Sequence, residues 1–353
     1  VVHGSEVETP GAFTTLDIAG ESILVARGQD GQLRAFYNVC RHRGVLLCVE
    51  PRGCTESFRC PYHHWEYATD GRLVRAPNAG IAAMSSAGRA LALTPIHCAE
   101  RFGFVWISMA STPVDIDVYL APVAEAMARH RPQEYRLAHE TVVEIEANWK
   151  TSVDVNNEEY HLPTLHPEIC DVVDVSALRF AVCGDHSTVK LPIGRPGRAY
   201  DPDEPIPTSM RGFLEWLRMG DLGPHGRLGD VRAHIARSFR ERAQREGFDF
   251  SNRTDEQLTC KEQIHIFPNV QLNFLPFSLE VYRHRPHPTD PSRCWFDELT
   301  YARRSAHAAS NIVRRRFRHG EQDLGPVMGA DVDMLPRLQA GMRSRGFQEL
   351  RFT

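Results

Sequence analysis

Two short segments constrain this chain more than anything else in it: Cys40-Arg41-His42 and Cys60-Pro61-Tyr62-His63, with 17 residues between them. Each offers one thiolate and one imidazole, so together they make a set of two cysteines and two histidines. A fold that uses them must present both segments on loops held at fixed geometry. Two kinds of centre accept that set. A [2Fe–2S] cluster takes it when two histidines replace two cysteines on one iron, which raises the reduction potential. Structural zinc takes the same four ligands, but usually pairs cysteine with cysteine and histidine with histidine. Here each pair is mixed, which favours the cluster, while ligand identity alone leaves zinc open.

At 353 residues the chain is long enough for two domains and a large core. A formal net charge of −4 argues against non-specific nucleic-acid binding. No run of 18 apolar residues and no signal-peptide pattern occurs, so the expectation is a soluble, cytoplasmic protein with no membrane segment. Of nine cysteines, Cys48, Cys54, Cys98, Cys170, Cys183, Cys260 and Cys294 follow no disulfide-framework rhythm and read as reduced thiols. A Cys48–Cys54 bridge between the two ligand pairs is the alternative.

The first 110 residues read as β-structure. Ser22–Ala26, Leu33–Tyr37 and Phe102–Ile107 are short apolar runs punctuated by glycine. The Ser/Thr/Pro-containing stretch Ala110–Asp115 makes a domain boundary, giving domains of residues 1–112 and 113–353. Beyond it the patterns predict a helix over Val118–Ala128, a strand over Thr141–Ile145 and a helix from Asn148 towards His161. An amphipathic helix follows over Val231–Arg245, then strands at Ile264–Phe267 and Cys294–Tyr301. Helices at Ala309–Arg318 and Leu335–Met342 close the chain. The expected fold class is α+β: an N-terminal all-β domain, then a domain with a central antiparallel sheet surrounded by helices.

The segment from Asn148-Trp149-Lys150 to Leu165-His166-Pro167 holds a second constellation. On one continuous helix Asp154, Glu158 and His161 would share a face. Pro163 argues for a kink or a new helical start after His161. His161 and His166 supply two imidazoles, and a carboxylate would complete the facial triad that leaves positions open on non-haem Fe(II). The bland reading makes both histidines ordinary hydrogen-bonded residues, but a cluster that delivers single electrons needs an acceptor.

With these motifs the chain resembles the α-subunits of Rieske non-haem iron oxygenases, the ring-hydroxylating oxygenase family. The resemblance rests on Cys40-x-His42-Arg43-Gly44, Cys60-Pro61-Tyr62-His63-x-Trp65, Gly103–Trp106, Asn148-Trp149-Lys150, the acid-x2-His161-x4-His166 run and Phe267-Pro268-Asn269. It implies a Rieske [2Fe–2S] cluster on Cys40, His42, Cys60 and His63. It also implies a mononuclear Fe(II) on His161, His166 and Asp331, the acid eight residues before the Gln339-x-Gly341 element, with Asp333 and Asp323 as competitors. Glu158 would bridge His63 of one subunit to His161 of its neighbour, which implies a head-to-tail ring, a homotrimer, with β subunits as an option. Glutamate at that place resembles the branch acting on quaternary amines. The chain departs from the family pattern at His64, where glycine is usual, at Asp154, which adds an acid near iron, and at Pro336, which suggests a late start for the helix carrying the last ligand.

The resemblance thus implies an oxygenase component using O2 as co-substrate, fed by a separate ferredoxin or NAD(P)H-dependent reductase. No nicotinamide fingerprint or plant-type ferredoxin spacing occurs in the chain itself. The expected reaction is hydroxylation of a small, aromatic molecule, because the candidate pocket residues Val172, Val173, Val175, Leu178, Phe180, Leu214, Leu217, Phe274 and Phe277 are apolar. Demethylation or cleavage of a quaternary amine or methyl ether is the alternative within the class. Arg179, Lys190 and Arg195 are candidates to pair a substrate carboxylate. A Rieske electron carrier without oxygenase activity and a zinc-stapled binding protein are the rivals outside it.

Overall fold

The computed structural model describes residues 2–77, 90–303 and 312–351. The chain forms two compact units, Val1–Gln133 and Glu134–Thr353.

In the first unit a seven-stranded sheet has the order β1-β10-β9-β4-β3-β2-β5, and β6-β7-β8 make a smaller sheet. Their ranges are β1 Val2–His3, β2 Ala12–Ile18, β3 Glu21–Arg27, β4 Leu33–Tyr37, β5 Arg52–Cys54, β6 Ser57–Arg59, β7 Glu66–Ala68, β8 Leu73–Arg75, β9 Pro95–Arg101 and β10 Phe104–Ser108. The β2–β3 hairpin turns on Ala19 and Gly20, both with positive φ, as a two-residue turn matching strand twist requires. The unbroken apolar run Ile23–Ala26 is explained by burial of β3 on both faces. Ile23 and Val25 join a core with Val7, Ala35, Ile96 and Val105. Leu24 and Ala26 join another with Phe36, Phe58 and Tyr67, and Cys40 and Cys60 belong to that second core.

The unit extends past the Ala110–Asp115 stretch. Helices Ile116–Leu120 and Ala124–His130, with a 3₁₀ turn between them at Pro122, replace the single expected helix. Their residues Leu120, Val123 and Met127 are buried, and the carbonyl of Pro132 meets His3 Nε2 at 3.0 Å. The Ser/Thr/Pro residues therefore mark where the chain leaves the sheet, not where it leaves the unit.

The second unit is built on an eight-stranded sheet of order β12-β13-β14-β15-β16-β17-β11-β18. Here β11 is Tyr135–Ile145, β12 Arg179–Cys183, β13 His186–Pro192, β14 Cys260–Ile266, β15 Val270–Phe274, β16 Ser278–Pro286, β17 Cys294–Arg303 and β18 Val313–Arg318. All neighbours run antiparallel except β18, which pairs parallel to β11. The expected helix over Ala309–Arg318 is thus a strand from Val313 onward, since Val313–Arg318 finds hydrogen-bonding partners on the open edge of β11. Residues 309–311 lie outside the described residues.

Helix Val231–Glu246 buries Val231, Ile235, Ala236, Phe239 and Ala243 and ends at Gly247 in the left-handed conformation. Helix Gly325–Met342 runs through Pro336, so the expected late start is incorrect. Proline costs one backbone hydrogen bond there, while Met328, Val332 and Leu335 anchor the helix on Val143, Ile145, Cys294 and Phe296 of the sheet. Among the described residues no helix is long and apolar enough to cross a membrane.

Candidate metal centres

Cys40–Val45 and Cys60–Trp65 adopt the same turn. The N–H of Cys40 donates to the carbonyl of Val45 at 2.8 Å, and that of Cys60 to Trp65 at 2.8 Å. Inside each turn the N–H of the fifth residue, Gly44 or His64, returns to the cysteine carbonyl at 3.0 and 3.1 Å. That fifth residue has positive φ in both, +75° at Gly44 and +58° at His64, so the second loop accepts a conformation that glycine adopts without strain. His64 Nδ1 is 2.9 Å from the Arg59 guanidinium.

The turns set both cysteines inward, each 2 % exposed, while His42 and His63 lie towards the surface. The His42 and His63 rings are 4.6 Å apart, and His42 stacks on Trp65 at 4.7 Å. Tyr67 places its hydroxyl 3.4 Å from Cys40 Sγ and accepts the Arg41 N–H at 3.0 Å. Burial and the neighbouring thiols hold that phenol well above its ordinary pKa, so it stays a donor towards sulfur. Loss of solvent and the neighbours His42, Arg43 and His64 hold His63 below its usual value, in the neutral form that binds metal. Two inward thiols and two outward imidazoles on matched loops fit a mixed-ligand [2Fe–2S] cluster. Cys48 and Cys54 are both free.

In the second unit, helix Trp149–Asn156 is capped by the Asn148 side chain, which accepts the Lys150 N–H. It ends at Asn157, well short of His161. Asp154, Glu158 and His161 therefore do not share a helical face. The consecutive asparagines favour termination, and Asp154 is left on the exposed side of the helix. A new one-turn helix, Leu162–Leu165, begins with Pro163 in its first turn, as Pro163 implies. His161 and His166 bracket it.

His161, His166 and Asp331 each turn one ligand atom to a common point, all within 4.8 Å of one another. His166 Nε2 is 2.7 Å and His161 Nε2 3.5 Å from Asp331 Oδ1. His166 is fully buried and Asp331 is 6 % exposed. Asp333 and Asp323 lie elsewhere: Asp333 accepts from Gln322, and Asp323 from the Gly325 N–H. Glu158 orients His161. Its Oε1 meets His161 Nδ1 at 2.6 Å, while Oε2 accepts the N–H groups of Tyr160 (2.5 Å) and His161 (3.2 Å). A carboxylate on Nδ1 keeps the proton there and frees the Nε2 lone pair for a metal. Gln339 Oε1 accepts the Asn148 N–H at 2.7 Å, which ties the helix bearing Asp331 to the start of the segment bearing the histidines. Two imidazoles and one buried carboxylate, with no thiolate, suit an Fe(II) that keeps open positions.

All but one of the apolar residues expected to line a pocket lie in or against the core. Val172, Val173, Leu214, Leu217 and Phe277 pack with helix Val231–Glu246, with Val175 and Leu178 against them. Phe274 is fully buried, and Phe180 is exposed on β12. Packed into the core, these side chains give no reason to favour an aromatic substrate. The three candidate cations already have acidic neighbours: Arg179 with Glu256, Lys190 with Glu262 at 3.9 Å, and Arg195 with Asp174 at 2.7 Å. They line an open cavity of about 510 Å³ with Arg232 and Cys260. Lys190 points to the opposite sheet face from Gln263, whose amide donates to the Asn156 carbonyl. Sequence reasoning missed Gln263 and its polar neighbours His265, Gln271 and Asn273. Their signal was alternation within β14 and β15, ordinarily the mark of a wet face.

Residues 132–353 match the family described as ring hydroxylating alpha subunit (catalytic domain), and residues 1–85 match the Rieske [2Fe-2S] domain. The glycine betaine monooxygenase oxygenase subunit of Pseudomonas aeruginosa (strain UCBPP-PA14) is 38% identical over 164 residues, covering 46% of this chain and 38% of that protein. The carnitine monooxygenase oxygenase subunit of Escherichia coli (strain K12) is 32% identical over 219 residues, 61% of this chain and 58% of that protein. The chain thus spans about two fifths to three fifths of the length of these relatives. A solved quaternary ammonium Rieske monooxygenase with L-carnitine shares the fold at a TM-score of 0.69, with 23% identity over 98% of this chain and 79% of that one. Naphthalene 1,2-dioxygenase does so at 0.66, with 19% identity over 98% and 75%. By its two matched loops, its two-histidine, one-carboxylate group and these likenesses, the chain belongs to the ring-hydroxylating α-subunit family, with an N-terminal Rieske [2Fe–2S] domain.

Proposed function

We propose that this chain is the oxygenase component of a Rieske monooxygenase acting on a small quaternary ammonium compound. The observation that carries the reading is the convergence of His161, His166 and Asp331 in a chain that also holds the paired Cys–His loops. Cys40, His42, Cys60 and His63 would hold the cluster, and His161, His166 and Asp331 the Fe(II), which supplies O2 activation when bound. Overall, O2, two electrons and two protons insert one oxygen atom into a substrate C–H bond and release the other as water. The chain's own part is to keep His161 in one tautomer through Glu158, to bury Asp331 and His166 away from bulk water, and to seat the substrate.

Two things favour an amine over an aromatic ring. The relatives named above act on glycine betaine and carnitine, and the sheet face next to helix Trp149–Asn156 is lined by Gln263, His265, Gln271 and Asn273. Electrons would come from a separate ferredoxin or NAD(P)H-dependent reductase in the cytoplasm. Glu158, half-exposed beyond its bond to His161, would reach His63 of a neighbouring subunit in a homotrimer. Iron and acid-labile sulfide per chain test the reading. About three irons and two sulfides in wild type, with about two irons in His161→Ala, are expected from the two centres. About two irons and two sulfides in both proteins would leave an electron carrier, and zinc without sulfide would leave a stapled binding protein.

A further inference from the structure

The sheet face that carries Val143 and Phe296 beneath helix Gly325–Met342 turns polar farther along the strands. Ser187, His265, Gln271, Tyr282 and Glu298 are cross-strand neighbours in one row. Val189, Gln263, Asn273, Glu280 and Thr300 form the next. Residues paired across strands point to the same side, so both rows share the face of the candidate iron site. Gln263 Nε2 donates to the Asn156 carbonyl at 3.0 Å and Ser187 Oγ to Asn157 Oδ1 at 3.3 Å, directly before Glu158. Tyr282, beside Gln271, lies within electrostatic reach of Asp331.

Most of this face is buried, and among its members His265 is 7 % exposed, Gln271 3 % and Asn273 2 %. Gln271 Nε2 donates to Asn273 Oδ1 at 3.1 Å. Gln271 Oε1, Asn273 Nδ2 and His265 Nε2 then find no hydrogen-bond partner among the described residues. Turning both amides over leaves the same inventory, because one still donates to the other, so one donor and one acceptor are always left unpaired. Buried polar atoms are seldom left unpaired, and an adjacent free donor and acceptor match a group that both donates and accepts. A hydroxyl is the smallest such group. Glu280, beside Asn273 on the next strand of the same face, supplies negative charge for a cation.

We propose that Gln271 and Asn273, supported by His265, are specificity-determining residues that receive a hydroxyl group on a quaternary ammonium substrate. This rests on the function proposed above and names the substrate feature its site selects. In the site the hydroxyl donates to one amide oxygen and accepts from the other amide's N–H. A site built to hydrogen-bond a hydroxyl discriminates strongly against the analogue lacking it.

The test uses matched pairs differing by that hydroxyl or its replacement by hydrogen: L-carnitine against γ-butyrobetaine, and choline against ethyltrimethylammonium. Turnover by the holoprotein with a reductase, and anaerobic calorimetric binding, are measured in wild type, Gln271→Met and Asn273→Asp. Wild type is expected to prefer the hydroxylated member of at least one pair about tenfold or more. The variants should raise KM and Kd for that member about tenfold, leaving kcat and the deoxy compound within about twofold. Turnover without hydroxyl preference, or an equal loss for both members, overturns the assignment and leaves the oxygenase reading standing. Hydroxyl-selective binding that the variants abolish, with no turnover of any compound, keeps the assignment and removes the oxygenase reading. A fall in thermal stability with unchanged KM shows that internal water occupies these atoms, and overturns the assignment.

Discussion

Glu158→Gln probes the link between local hydrogen bonding and iron affinity. The wild-type carboxylate has two oxygens accepting three N–H groups: His161 Nδ1–H on one, and the backbone N–H groups of Tyr160 and His161 on the other. Glutamine has a single oxygen. If that oxygen keeps the two backbone donors, its NH₂ faces Nδ1, which must then become an acceptor. The ring proton moves to Nε2, the nitrogen that points at Asp331 and would bind iron. If the oxygen stays on Nδ1, the NH₂ opposes two backbone donors and the side chain turns towards solvent. Either way His161 loses its fixed ligating tautomer. Loss of such a supporting carboxylate typically weakens metal binding ~10- to 100-fold, about 1.4–2.8 kcal/mol. Competition for Fe(II) with a chelator of known affinity, on protein with an intact cluster, measures it directly. Visible absorption of the cluster should not change. An Fe(II) affinity within about twofold of wild type would refute the orienting role.

His64→Gly should stabilise the loaded first unit by about 1 kcal/mol, because the positive φ at this position strains any side chain and glycine adopts it freely; denaturant midpoints on the holoprotein check it. Burial, and secondarily Glu280, raises the Glu298 carboxyl to about 7 from an ordinary 4.5. Between those values the native state holds a proton the unfolded chain has lost, so stability falls as pH rises from about 4.5 to about 7 and stays lowered above. Glu298→Gln should therefore match wild type near pH 4 and exceed it by on the order of 2–3 kcal/mol at pH 8, read from urea titrations at both pH values; equal stabilities at pH 8 would contradict the burial argument. Gln339→Leu removes the acceptor of the Asn148 N–H and should cost about 1–3 kcal/mol, together with weaker iron retention, whereas a purely local effect would lower the unfolding midpoint without loss of iron.

Chemistry that rests on local chain geometry was legible in the sequence. Cys-x-His and Cys-x2-His are short enough for one turn to determine how their side chains are presented, and both loops close with the same backbone hydrogen bonds. Pro163 marked the restart between His161 and His166, because proline opens a helix more readily than it continues one. The apolar periodicity of Val231–Glu246 likewise carried its own reading, since one stripe is buried along its length.

Tertiary structure decided whatever depended on a distant partner. The Val313–Arg318 segment is a strand only because β11 offers it an edge. The helix carrying Asp331 survives Pro336 because Met328, Val332 and Leu335 pack on the sheet, and side-chain burial outweighs one lost hydrogen bond. The meeting of Asp331 with His166, 165 residues earlier in the chain, is likewise set by packing. The same limit misdirected the expectation about the substrate. Apolar residues such as Leu214 and Phe277 read equally as pocket or core and became core. The alternating polar residues of β14 and β15 carry a pattern that ordinarily marks a wet face, yet the fold buries them beside the candidate iron site. Alternation tells which side chains share a face; only the packed structure determines whether that face meets water, a helix or a substrate.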